Sequence, residues 1–110
     1  AENGKLELEI SAHSLLFLKT AGNYIDIHYQ LNHQHQTYVL RNRLKNILPI
    51  LNQPNFYQCH RSYLVNLDKV TQVTGNARGL ELHLEGFDKQ LIPVSRSKSQ
   101  ELEKLLHALK

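Results

Sequence analysis

Three groups of residues in this 110-residue chain have side chains suited to chemistry: seven histidines, one cysteine, and a set of cations gathered in the middle of the chain. Residues 31–80 hold Arg41, Arg43, Lys45, Arg61, Lys69 and Arg78 against Asp68 alone, six basic and one acidic, so this stretch carries +5 of a formal net +3. Residues 1–30 carry −2 and residues 81–110 carry zero. Such a field fits an anionic partner, and the competing reading is an ordinary solvated surface. His28, His33 and His35 invite a metal site, but the NHQHQ segment reads as a hairpin turn and no Cys or carboxylate falls nearby in ligand spacing. No metal or cofactor is expected. Cys59 precedes His60 and Arg61, and cationic neighbours would favour a redox-active thiolate; burial as a small apolar residue is the stronger reading. No paired carboxylates, nucleophile–base pair or glycine-rich phosphate loop appears, so the chain does not read as an enzyme.

The elements that must position these groups are mostly strands. Leu6, Leu8 and Ile10 alternate with glutamates; Ile25, Ile27 and Tyr29 alternate with Tyr24, Asp26 and His28; Leu80, Leu82 and Leu84 alternate with Glu81, His83 and Glu85. Each reads as a strand with one dry face. Leu15 to Lys19, Thr37 to Leu40, Tyr63 to Asn66, Val70 to Thr74 and Gln90 to Val94 are further short strands. Turn residues separate them: Ala21-Gly22-Asn23, Asn32-His33-Gln34, the Gly75 to Gly79 run and Gly86-Phe87-Asp88. Leu44, Ile47, Leu48 and Leu51 keep helical spacing, with Pro49 ending or kinking a short helix. Leu102, Leu105, Leu106 and Leu109 mark a C-terminal helix after a capping box of Ser97 and Gln100. Both leucine stripes read as structural. The length fits one domain with one core, residues 5–110, preceded by a tail or linker remnant over residues 1–4. No stretch approaches the roughly 18 apolar residues of a membrane helix, and the start carries no signal-peptide pattern, which points to a soluble, cytoplasmic protein.

The run FYQCHRSYLVNLDKV, Phe56 to Val70, reads as a strand pair whose apolar anchors are interrupted by the polar, partly cationic His60, Arg61 and Ser62. Together with FLKTAGNYIDI (Phe17 to Ile27) and PVSRSKSQELEKLL (Pro93 to Leu106), it resembles the LytTR family of DNA-binding domains in bacterial transcription regulators. Three blocks in register carry the resemblance, which covers residues 5–108.

The resemblance implies a mostly β fold, an elongated set of packed antiparallel sheets with one or two short helices including one at the C-terminus. It implies binding to imperfect direct repeats in promoters through loop residues in successive major grooves, and a receiver or sensor domain in the full-length regulator of a two-component type. A homodimer on DNA is left open. Carried over residue by residue, it puts Asn23 and Tyr24 at the bases, with Lys19 nearby on phosphate. Arg61 would meet phosphate or minor groove, with His60 and Ser62 assisting. Arg96 would read guanine, with Ser95 and Lys98 holding phosphate beside a helix N-terminus.

Each role has a plainer competitor. Asn23 suits a turn position with positive φ. Arg61 could pair with Asp68, and His60 stands equally as a packed, hydrogen-bonded histidine. Arg96 at a helix start opposes the helix dipole unless an anion compensates it, which favours the functional role. The whole-domain alternative is a protein-interaction β-module that docks a partner through a sheet edge or the C-terminal leucine stripe.

Overall fold

A computed structural model describes residues 12–51, 53–76 and 79–109. The tail expected over residues 1–4, the strand expected over Leu6–Ile10 and residues 77 and 78 of the expected Gly75 to Gly79 turn lie outside the described residues. A 3-10 turn, Ala12–Ser14, leads into β1 (Leu15–Ala21), β2 (Tyr24–Leu31) and β3 (Gln34–Arg41). The short helix α1 (Leu44–Ile47) follows, then β4 (Phe56–His60), β5 (Tyr63–Asn66), a 3-10 turn at Leu67–Lys69, β6 (Val70–Asn76), β7 (Gly79–Leu84) and β8 (Phe87–Pro93). A final 3-10 turn, Arg96–Lys98, runs into α2 (Ser99–Leu109). Five strands form one antiparallel sheet in the order β3-β2-β1-β5-β4, and three form a second, β6-β7-β8. The molecule is elongated, 44 × 29 × 25 Å. Among the described residues no helix is long and apolar enough to cross a membrane.

Turn chemistry sets the registers. Asn32 and His33 both take positive φ, 54° and 66°, the geometry whose twist matches a two-residue hairpin. Every β2–β3 pair is therefore symmetric about that turn, from Leu31 opposite Gln34 out to Tyr24 opposite Arg41. In the β1–β2 turn Gly22 takes the positive φ, 61°, and Asn23 does not, so the explanation of Asn23 as a left-handed turn residue fails. The β7–β8 turn is one residue earlier than the sequence indicates: Glu85 and Gly86 make it, and Phe87 opens β8 inside the core. Gly86 has φ 73° and packs against the Gln30 side chain, leaving no room for a Cβ.

Two apolar clusters flank the larger sheet. Leu15, Leu18, Ile25, Phe56 and Leu64 face α1, where Leu44 is buried and Ile47, Leu48 and Leu51 pack beside it, all four on the predicted stripe. Pro49 follows directly after the capping residue Leu48, so α1 stops after one turn. On the other face Leu16, Phe17, Cys59, Val65 and Leu67 meet Leu82, Leu84, Phe87 and Ile92 of the smaller sheet and Leu102 of α2. With both faces covered, β1 buries Leu15 to Leu18 without alternation. The polar face assigned to β2 is likewise half covered. His28 stacks on Phe17 at 4.1 Å between ring centroids, and Phe87 meets both His28 and His35. Burial, then its neighbour His35, lowers the His28 pKa to about 4, and His35 is lowered chiefly by burial. The two rings are therefore neutral near pH 7 and share one N–H···N bond, 2.8 Å between His28 Nδ1 and His35 Nε2.

Asn66 is the buried polar hub of this arrangement, 1% exposed. Its amide donates to the Leu15 carbonyl at 2.8 Å, and its Oδ1 accepts from the Asn55 side chain at 2.9 Å and the Asp68 N–H at 3.0 Å. These bonds tie the start of β1 to the open end of the β4–β5 pair, where β4 begins and β5 ends. Asn66→Ala strands a buried carbonyl and two donors, so it is expected to lower unfolding stability by about 2–3 kcal/mol. Urea denaturation with an unchanged slope would read this as a lower midpoint; a loss under about 1 kcal/mol would mean that the hub is dispensable.

Candidate nucleic-acid interface

The β1–β2 and β4–β5 turns come together because β1 and β5 are antiparallel neighbours. Lys19 lies opposite Tyr63, and the Thr20 N–H donates to the Ser62 carbonyl at 2.9 Å. Ala21 pairs with Tyr24, which pairs with Arg41, so the end of β3 joins the same row. On the opposite side, edge strand β4 is extended by the segment after β8: the Ser95 N–H donates to the Cys59 carbonyl at 2.8 Å. Across one end of the larger sheet the order is therefore Arg41, Tyr24, the Gly22-Asn23 turn, the Arg61-Ser62 turn, and the Ser95–Lys98 segment. All nine residues predicted from sequence fall on this band. Asn23, Arg61 and Arg96 are exposed, and Tyr24 is 49% exposed despite its size.

The side chains within the band divide into presenters and braces. The His60 Nδ1 accepts the Ser62 N–H at 3.1 Å, and its ring meets Tyr63 edge-on at 5.6 Å. His60 thus holds the β4–β5 turn in shape. The Gln58 amide donates to the Arg61 carbonyl at 3.5 Å on the same turn. Arg61 and Asp68 sit at opposite ends of β5, which removes the ion pair considered from sequence. Two ammonium groups rest over rings, Lys19 5.9 Å from Tyr63 and Lys98 5.9 Å from Tyr57. Each cation is thereby positioned without being neutralised.

Tyr57, which carried no signal in the sequence, anchors the Arg96 segment. Its hydroxyl donates to Glu101 Oε1 at 2.6 Å and lies 3.4 Å from the Lys98 carbonyl. Burial, reinforced by the Glu101 carboxylate, pushes its pKa up. The expected capping box is replaced by a different start: Ser95 takes the N-cap position of the Arg96–Lys98 turn without a side-chain bond, and the Ser99 hydroxyl donates to the Ser95 carbonyl at 3.4 Å. Starting the turn two residues before Ser97 places Arg96 at its first position. Gly79 lies against this segment, its Cα face close to the Val94 carbonyl and the Arg96 stem. Arg41 and Arg43 also belong to this end of the sheet; the sequence marked them as basic without assigning them to a site.

The LytTr DNA-binding domain family model matches residues 8–107. The chain belongs to this family. As a LytTr domain it is a DNA-binding module. It is 33% identical over 93 residues to the transcriptional regulatory protein YpdB of Escherichia coli K12, covering 74% of the chain and 37% of that protein. It is 33% identical over 89 residues to an uncharacterised response regulatory protein of Vibrio cholerae, covering 80% and 33%. The LytTr domain thus spans about a third of the length of these curated relatives. In fold it is similar to the LytTr DNA-binding domain of a methyl-accepting/DNA response regulator from Bacillus cereus, with a TM-score of 0.74 at 19% identity over 90% of this chain and 86% of that one.

Cys59 is packed in this LytTr domain as a small apolar residue, not presented as a thiolate. It is fully buried, donates to the Pro93 carbonyl at 3.4 Å, and burial pushes its thiol up to about 12, outweighing any cationic neighbour. A water-soluble disulfide reagent is expected to label it only as fast as the native protein unfolds, with labelling accelerated by urea. Rapid labelling of the native domain at neutral pH would overturn that assignment.

Proposed function

We propose that this LytTr domain binds promoter DNA sequence-specifically by laying its band of loops along the duplex, Asn23 and Tyr24 in one major groove and Arg96 in the next. The observation that carries the reading is the order of the band, in which the Arg61 turn lies between the other two. A middle turn of this kind meets the backbone or minor groove between successive major grooves. Asn23 has the amide pair that matches adenine, and Arg96 the fork that matches guanine O6 and N7. Lys19, Arg61, Ser62, Ser95 and Lys98 fix the register through phosphate, and His60 supports Arg61 from behind.

The names of the relatives and the fraction of their length that matches support a further reading. The domain acts as the effector of a longer, non-enzymatic response regulator, working in the cytoplasm and coupled to a receiver or other sensor domain. Direct repeats would be occupied by one domain each. Selection of bound sequences from a random duplex pool would expose paired sites at helical spacing.

Arg96→Ala is expected to cost on the order of 1–3 kcal/mol on the selected site and to relax preference at one base pair. Lys98→Ala should instead weaken binding alike on all sequences and flatten the dependence of affinity on salt. A titration series over ionic strength checks both. Equal affinity and preference for parent and Arg96→Ala would remove Arg96 from base reading. Affinity insensitive to salt would favour an apolar protein-docking module over a DNA-binding one.

A further inference from the structure

The corner between β3 and α1 carries two cations that the three-loop interface does not use. Arg41 is the last residue of β3 and stands in register with Tyr24, so its side chain leaves the sheet on the same face as the Tyr24 ring. That face is open here: Arg41 is exposed, Tyr24 is 49% exposed, and Val39, two residues back on the same face, is 56% exposed. Arg43 is exposed at the N-cap of α1, where its side chain makes no cap bond. A cation at a helix start does nothing for the helix. Among the described residues neither arginine makes an ion pair.

The corner is nevertheless built to hold both. Asn42 Oδ1 accepts the Arg43 N–H at 2.8 Å and the Asn46 amide at 2.9 Å, and the Asn46 N–H donates back to the Arg43 carbonyl at 2.9 Å. This closed ring of bonds fixes the backbone between the two arginines. The carboxylates Asp68 and Glu85 stand at the other end of the sheet, one on the turn after β5 and the other where Gln30 reaches the β7–β8 turn. Asp26 is the acidic residue nearest along the strands, one step behind the row and opposite Lys19.

We propose that Arg41 and Arg43 form a phosphate clamp at the outer flank of the interface, beyond the Asn23 turn and on the side away from Arg96. The proposal rests on the DNA-binding reading above and adds to it a footprint longer on the Asn23 side than the base-reading loops require. Guanidinium groups with no anionic partner among the described residues, on a rigid corner beside a groove-reading turn, supply charge and donors to backbone phosphate. Since such contacts carry no sequence information, the clamp strengthens binding without changing which site is chosen.

The test uses the whole domain and duplexes carrying the selected site, one set extended by a helical turn on both sides and one set trimmed at the Asn23 flank. The double variant Arg41→Ala/Arg43→Ala should bind the extended duplex on the order of tenfold more weakly and lower the log–log salt slope by about 2, with base preference unchanged. Trimming that flank should weaken the parent by a similar factor and leave the double variant unaffected. Arg41→Lys/Arg43→Lys should restore most of the slope, which separates charge from any effect on folding. An unchanged slope in the alanine variant, or equal sensitivity of parent and variant to trimming, would overturn the clamp. If Arg96→Ala still weakens binding in the same assay, the interface stands and only the clamp is lost; if the parent shows no salt-dependent binding, the DNA reading itself has failed.

Discussion

Antiparallel pairing of β1 with β5 is the constraint on which the rest of this molecule depends. It brings the turn after β1 against the turn before β5, locked by the bond from the Thr20 N–H to the Ser62 carbonyl. One strand further out, the bond from the Ser95 N–H to the Cys59 carbonyl attaches the chain leaving the smaller sheet to the same end. Segments remote in sequence thus become neighbours through backbone bonds alone, before any side chain is considered. The side chains then hold the arrangement rigid. Asn66 fastens β1 to the β4–β5 pair, Tyr57 fastens α2 to β4, and Phe87 of the smaller sheet packs against the stacked Phe17 and His28 rings of the larger. Because loop conformation is set by packed elements, little ordering remains to be done on binding, and less affinity is lost to it.

Electrostatics follows from the same placement. Lys19, Arg41, Arg43, Arg61, Arg96 and Lys98 occur at one end of the larger sheet, with Asp26 opposite Lys19 and Glu101 held by Tyr57, while Asp68, Lys69 and Glu85 occur at the other. Two unit charges about 10 Å apart in water repel by only about 0.4 kcal/mol, so gathering cations costs the free fold little. The same charges placed on phosphates release condensed counterions, and at low salt that release outweighs the repulsion by far. Resting Lys19 and Lys98 over tyrosine rings is consistent with that balance, since a ring orients an ammonium without neutralising it, as a carboxylate would.

Much of this was legible in the residue pattern. Alternation in β2 and β7, and short apolar or β-branched runs elsewhere, located strands within the described residues, and Leu44, Ile47, Leu48 and Leu51 announced a helix that Pro49 cuts short. Three blocks whose spacing matches a family supplied the candidate residues, and the structure brings those blocks together at one end of the larger sheet. What periodicity could not show was which faces would be covered twice. His28 reads as solvent-facing until Phe87 arrives from the other sheet, and Phe87 reads as a turn residue until Gly86 and Glu85 make the turn without it. Tyr57 and Glu101 form a bond between segments with no shared local signal. Arg41 was within reach: once Asn32 and His33 are the turn, symmetry about them puts Tyr24 opposite Arg41, and counting outward from the hairpin would have added it to the site.

The order of the three turns along bound DNA tests the account most directly. Ala21→Cys, Ser62→Cys and Ser97→Cys each place a thiol beside one turn while leaving Asn23, Arg61 and Arg96 intact, and the native Cys59 is buried. An iron chelate coupled to each in turn would cleave the duplex at the nearest sugars. Cleavage centred at three successive positions along the site, with that from residue 62 between the other two, is the predicted result. Coincident centres, or the residue 62 centre at one extreme, would contradict it.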